Sequence, residues 1–286
     1  LEKLLRHGAD WLAVHPDKGR ITRRYLRHKW SLAREALARL EVIEEDAPEV
    51  TPDEVAAPVE EPTPESASIT VQEAAVEAPL ALNEARIRTV IAELEAAGVE
   101  TVIDLGCGDG KLLARLLKNR RFTRLAGLDV SVRALEIAVD RLRLERLPPR
   151  LRERIQLLHG GLTYRDARIE GFDAATAIEV IEHLDENRLA AFARVLFEYA
   201  HPRLVIMTTP NVEYNANYPF LPAGRLRHTD HRFEWTRAEF ETWGQRVAGR
   251  FGYAVRFLPI GESDPALGAP TQMAVFARNT ETASQP

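Results

Sequence analysis

The chain has 286 residues, 45% hydrophobic and 28% charged, and its 38 basic and 43 acidic side chains leave a formal charge of −5. That composition excludes collagen-like, coiled-coil and wholly disordered classes, and the length admits one large domain or two smaller ones. Apolar runs such as Leu204–Met207 fall far short of the roughly 20 residues that cross a bilayer, so no membrane partner is expected.

The opening Leu1-Glu2-Lys3-Leu4 has neither a methionine nor a signal segment, and it reads as the start of a fragment whose own N-terminal portion is missing. The single Cys107 suits a reducing, cytoplasmic setting. Residues 1–43 carry ten basic and five acidic side chains. Within them Ile21–Leu40 forms an amphipathic pattern, with Tyr25, Leu26, Trp30, Leu37 and Leu40 on one side and arginines around them. This stretch reads as the helical end of a truncated N-terminal module, its basic face either solvated or set against RNA phosphates. Residues 44–79 carry eleven acidic side chains, none basic, six prolines and no aromatic. They cannot bury enough surface to offset chain entropy, and the expectation is a disordered acidic linker.

From residue 80 to 286 the pattern is that of one domain. A helix is expected from Leu82 to about Ala97, closed by Gly98 in the left-handed position. Strands are expected at Val99–Leu105, Leu125–Val130, Ile155–Leu158, Phe172–Ile178 and Arg203–Thr209, with helices between most of them, including Leu112–Leu117 and Ala134–Leu144. Two further strands, Tyr253–Pro259 and Gln272–Arg278, flank a Gly/Pro-bearing loop. The alternation predicts an α/β fold with a doubly wound, mostly parallel, seven-stranded sheet.

In such a sheet ligands sit at the carboxyl ends of the strands, where glycines let the backbone approach a nucleoside without a Cβ in the way. Gly106-Cys107-Gly108-Asp109-Gly110 follows the first strand, and Asp129 ends the second, placed to accept hydrogen bonds from ribose hydroxyls. A dinucleotide-binding fold would look similar, but the third glycine comes one position early for it. The stretch Asp104-Leu105-Gly106-Cys107-Gly108-Asp109-Gly110 resembles the first motif of the class I S-adenosylmethionine-dependent methyltransferases. The resemblance implies cofactor contacts at Asp104, Gly106, Cys107, Gly108, Asp129, Val130, Gly161 and Leu162, with Cys107 a small loop filler and not a nucleophile.

After the fourth strand comes Glu179-Val180-Ile181-Glu182-His183-Leu184. In the first turn of a helix, Glu179, Glu182 and His183 would share one face, and two carboxylates beside an imidazole form a candidate metal site. The alternative is that the glutamates favour a helix N-terminus. Small-molecule O-methyltransferases of the ubiquinone-biosynthesis type carry a similar stretch, and they remain the alternative acceptor class. A second cluster, Arg227-His228-Thr229-Asp230-His231-Arg232-Phe233-Glu234-Trp235, precedes Thr236-Arg237-Ala238-Glu239, a capping box opening the next helix.

With Leu162–Asp166 and Thr209–Asn215, these stretches resemble the small-RNA 3′-terminal 2′-O-methyltransferase family, its bacterial RNA-repair branch above all, over residues 80–279. The resemblance implies methyl transfer to the terminal 2′-hydroxyl of RNA that carries a free 2′,3′-diol. It also implies one divalent cation, Mn²⁺ first and Mg²⁺ or Co²⁺ next, held by Glu179, Glu182, His183 and His231. Asn211, Tyr214, Asn215, Arg227 and Arg232 become candidate RNA contacts. Residues 1–43 resemble the region before the methyltransferase in the bacterial proteins, whose N-terminal module works with a polynucleotide kinase-phosphatase.

Overall fold

Strands and helices alternate from Thr101 to Pro210 in a computed structural model that describes residues 65–279 apart from Phe220 and Ala223. The chain divides between Thr63 and Pro64, and the second unit is the one described. The basic helix expected over Ile21–Leu40 and residues 44–64 of the acidic segment lie outside the described residues.

Helix α1 spans Glu65–Ala96, so the last fifteen residues of the segment read as linker belong to the backbone of a helix that continues into the domain. Their Ala- and Glu-rich composition carries helix propensity. Gly98 follows at φ 62°, the left-handed residue that ends the helix.

The strands are β1 Thr101–Leu105, β2 Arg124–Asp129, β3 Ile155–His159, β4 Ala174–Ile178, β5 Leu204–Pro210, β6 Tyr253–Ile260 and β7 Thr271–Arg278. Between them lie α2 Lys111–Leu116, α3 Val132–Leu142, α4 Pro149–Arg152, α5 Leu189–Ala193 and α6 Arg237–Phe251, with a π-helical turn at Arg194–Ala200. The strand order is β3-β2-β1-β4-β5-β7-β6. All pairs from β3 to β5 are parallel, and β7 runs antiparallel between β5 and β6. Strand order reverses between β1 and β4, so their carboxyl ends open the crevice in which α/β proteins bind ligands.

Period-two alternation gives the sheet two buried faces. Ile103, Leu105, Ala177, Val205 and Met207 pack with Phe192, Phe197, Phe240 and Trp243 on one side. Val102, Leu125, Ile206 and Val275 pack with Val90, Leu94, Leu113 and Phe122 on the other. Burying each such side chain contributes about 1.5–3 kcal/mol of transfer free energy, which holds the strand ends rigid beneath the site. Because Pro210 faces Thr271 and Ile260 faces Thr271 in register, the loop from Gly261 to Pro270 returns to the same edge as the parallel carboxyl ends. Among the described residues no helix is long and apolar enough to cross a membrane.

Candidate active site

Three glycines in the left-handed region build the turn after β1: Gly106 at φ 72°, Gly108 at φ 53° and Gly110 at φ 75°. The turn is held to β2, since the amides of Gly106 and Cys107 both donate to the Leu128 carbonyl, at 2.8 and 3.1 Å. Asp129 is the hinge between turn and crevice. Its Oδ2 accepts the Gly108 amide at 2.8 Å and its Oδ1 the Ser131 amide at 2.8 Å, and each oxygen keeps a second lone pair for a ligand. Ser131 in turn caps α3 by accepting from the Ala134 amide, which fixes where β2 ends.

The other cofactor candidates fall into two groups. Val130 is 74% exposed beside Asp129, and Gly161 and Leu162 follow β3 at the same edge, half-buried. Asp104 and Cys107 are closed off from solvent. Thr176 Oγ donates to Asp104 Oδ1 at 2.7 Å, and burial pushes the Asp104 carboxyl up to about 7, with the Asp129 charge adding to the shift. Burial, with Asp104 and Asp129 nearby, also pushes the Cys107 thiol well above its usual range, the environment of a filler and not of a nucleophile.

Beyond β4 the chain forms one 3-10 turn, Ile181–His183, and not the first turn of an α-helix. The physical reason is Glu179, which adopts φ 53°, a left-handed conformation that costs a non-glycine residue about 1–2 kcal/mol and interrupts helix formation. The turn still brings ligand-type atoms together. One atom each from Glu182, His183 and His231 lies within 4.8 Å of the other two. The His183 and His231 rings stand edge to face with centroids 4.9 Å apart, and the Arg232 amide donates to the Glu182 carbonyl at 2.7 Å, tying the two segments.

Glu182 is fully buried, and only its Oε2 is satisfied, by Thr209 Oγ at 3.0 Å. Its Oε1 is a buried polar atom with no hydrogen-bond partner. Burial first, then the neighbouring Glu179 charge, raises the Glu182 carboxyl well above the usual carboxylate range. Burial and the adjacent His231 imidazole lower the His183 pKa. A buried acceptor left open beside two imidazoles could hold a divalent cation, whose charge would reverse those penalties.

Glu179 stands outside this group of three. Its Oε2 pairs with Arg86 at 2.9 Å and its Oε1 accepts from Thr208 Oγ at 2.9 Å.

The RNA candidates separate in the same way. Arg227 is spent internally, donating to the carbonyls of Pro270 at 2.6 Å and of Asn211 and to Asn215 Oδ1 at 2.5 Å. Asn211 is fully buried and donates to the Leu267 and Ala269 carbonyls. These two residues and Asn215 spend their side-chain hydrogen bonds on bracing loops. Tyr214 is half-buried against Tyr218 with centroids 5.7 Å apart, and Arg232 is exposed.

Sequence reading gave no role to Arg86, Thr208, Thr209 or Glu234. For Glu234 a signal existed in its spacing three residues after His231. The others reach the site only through the fold.

The family model "Methyltransferase domain" matches residues 103–203, and "RNA repair, ligase-Pnkp-associating, region of Hen1" matches residues 1–41. The small RNA 2′-O-methyltransferase of Rattus norvegicus is 42% identical over 193 residues, 65% of this chain and 48% of that protein. The chain thus spans about half the length of the curated relatives it matches. The methyltransferase domain of bacterial CtHen1 is 56% identical with a TM-score of 0.65, covering 70% of this chain and 100% of that one. A chain of the Pnkp1/Rnl/Hen1 RNA repair complex, 23% identical with a TM-score of 0.52, covers 69% of this chain and 42% of that one and shares the fold.

Proposed function

The chain belongs to the small RNA 2′-O-methyltransferase family, and from that premise we propose that it moves a methyl group from S-adenosylmethionine to the 2′-hydroxyl of the 3′-terminal ribose of RNA. The observation that carries this reading is the buried, unpartnered Oε1 of Glu182 beside His183 and His231, at the same sheet edge as the glycine turn and Asp129.

The glycine turn and Asp129 would hold the cofactor, the carboxylate accepting from ribose hydroxyls through its remaining lone pairs. Glu182, His183 and His231 would hold a divalent cation, with Glu179 as fourth ligand once its carboxylate leaves Arg86. Such a cation, when bound, lowers the pKa of a ribose hydroxyl and fixes its position. Mixed carboxylate and imidazole donors suit Mn²⁺ first and also admit Mg²⁺ or Co²⁺. An RNA end with adjacent 2′- and 3′-hydroxyls offers two oxygens to one site, which a deoxyribose end cannot.

His228 lies with its ring centroid 6.3 Å from His183 and 5.7 Å from His231. Its Nδ1 accepts the Asp230 amide at 3.3 Å, so its neutral form carries the proton on Nε2 and suits a phosphate oxygen better than the role of base. Exposed Arg225 and Arg232 are the remaining cationic candidates for phosphates, and Tyr214 for stacking on the terminal base.

The match of residues 1–41 to a ligase-Pnkp-associating region supports a polynucleotide kinase-phosphatase as partner and RNA repair as the setting.

The test is transfer of labelled methyl to a short RNA with and without Mn²⁺, beside RNAs ending in a 3′-phosphate, a 2′-deoxy or a 3′-deoxy ribose. Labelling of the free-diol RNA alone, dependent on metal and conferring periodate resistance, is the expected result. No labelling of any RNA by protein that binds S-adenosylmethionine would return the acceptor to the small-molecule class.

A further inference from the structure

Glu234 ends a chain of hydrogen bonds that begins in the loops bracing the site. Its Oε1 accepts from His231 Nδ1 at 2.5 Å and from the Arg227 amide at 2.7 Å, and its Oε2 accepts from Asn215 Nδ2 at 2.6 Å. Asn215 Oδ1 in turn accepts Arg227 Nε at 2.5 Å. The Glu234 side chain has 0% exposure and that of His231 has 9%.

A carboxylate held in a space closed to solvent carries a desolvation cost that three donors are needed to offset. An apolar side chain would fill that space without the cost. What a carboxylate adds is that it only accepts. His231 must therefore carry its proton on Nδ1, and its Nε2 is left bare. His183 is arranged alike, its Nδ1 facing the Asp230 carbonyl at 3.3 Å, so both imidazoles turn the same kind of atom to the site.

We propose that Glu234 is a positioning residue that fixes His231 in the Nδ1–H tautomer and so makes Nε2 the atom offered to a divalent cation. The inference rests on the cation-site reading above, and Glu234 itself does not touch the cation.

The test uses the full chain, metal-free, with ¹⁵N-labelled histidine. Long-range ¹H–¹⁵N spectra report the His231 tautomer, and titration with Mn²⁺, followed by the electron paramagnetic resonance of free ion, reports affinity. In the parent, His231 shows a protonated Nδ1 and a bare Nε2. E234A loses that signature and binds Mn²⁺ on the order of 10- to 100-fold more weakly.

E234Q alone sets an amide donor against Asn215 Nδ2 and is also weakened. Combined with N215D, the new amide donates to the new carboxylate, both acceptor contacts to His231 and the Arg227 amide return, and most of the lost affinity is recovered. S-adenosylmethionine affinity reports that each variant is folded, and the double exchange serves if E234A does not fold. An unchanged His231 tautomer and parent-like Mn²⁺ affinity in folded E234A, or a double exchange no tighter than E234Q, overturns the positioning role. Absence of Mn²⁺ binding by the parent, or full binding by H231A, overturns the cation site itself and the proposal with it.

Discussion

Gly106 and Gly108 share a backbone requirement but meet different surroundings. A Cβ at Gly106 would come 2.6 Å from Val180 Cγ2, whereas one at Gly108 meets nothing within 4 Å. G106A therefore adds a clash to the left-handed strain and displaces the residue that leads into the Glu182 turn, for a loss of roughly 2–3 kcal/mol. G108A carries the strain alone, about 1 kcal/mol, and its methyl occupies open space next to Asp129, so cofactor affinity falls more than stability does. Urea midpoints and S-adenosylmethionine titrations separate the two, and equal midpoint losses would sink the argument. The converse division is expected at the proposed cation site. E182A and H231A are expected to abolish methyl transfer while leaving cofactor binding near the parent level, and D129A to weaken cofactor binding. Full activity of H231A under limiting metal would remove His231 from the ligand set. The residues of the candidate site legible in the sequence are those that lie in contiguous runs, such as Gly106–Gly110 and Glu182–His183. Thr208, Thr209 and Arg86 were not legible, because β5 and α1 bring them to the site from distant positions.

At the scale of elements, the capping box at Thr236 is one that local sequence specifies completely. Thr236 Oγ accepts the Glu239 amide at 3.2 Å and Glu239 Oε2 accepts the Thr236 amide at 2.8 Å, satisfying two otherwise unpaired donors at the start of α6. T236A should lower unfolding free energy by about 1 kcal/mol. Because Glu234 lies two residues upstream, Mn²⁺ affinity should fall as well, though less than in E234A. A urea titration and a metal titration on the same preparation check both halves, and a stability loss with unchanged Mn²⁺ affinity would show that helix α6 does not set the Glu234 position. The strands and the left-handed stop at Gly98 were legible for the same reason, being written in local alternation and in one residue's conformational freedom. The turn at Ile181 was not. A Glu at φ 53° has no propensity signature, and it is held by contacts across the fold: its amide donates to Thr208 at 3.1 Å, to both Oγ and the carbonyl oxygen, and its carboxylate meets Arg86 and Thr208 Oγ. The helical stretch over residues 65–79 was hidden by proline and acidic composition, which read as linker when taken as totals.

For the whole molecule, the strand succession implied a doubly wound sheet but not how its faces distribute charge, and that distribution governs stability against pH. Asp104 lies on the central strand, beside Thr176 and Asp129, with its carboxyl pushed up to about 7 by burial. In the unfolded chain an aspartate titrates near 3.9, so between about pH 4 and pH 7 the folded molecule keeps a proton that the unfolded one releases. Stability then falls as pH rises through that window and levels off above it. Glu182, also raised, contributes with the same sign. Asp166 and Asp173 are lowered, the first by its hydrogen bonds from Arg168, the second by donors from Glu100 and Thr101 that outweigh its burial, and they contribute stability that is lost only as pH falls through the acid range. The metal-free, cofactor-free molecule is therefore expected to be most stable on the acid side of neutrality and to lose on the order of 2 kcal/mol from pH 5 to pH 7. D104N keeps an acceptor for Thr176 and removes the titration, so the difference between parent and D104N isolates the Asp104 share from that of Glu182. Urea unfolding at pH 5, 6, 7 and 8 for both proteins gives the measurement. A parent curve that rises across this window, or a D104N curve parallel to it, would mean that Asp104 is ionised in the folded state and that the central strand carries its charge beneath the glycine turn.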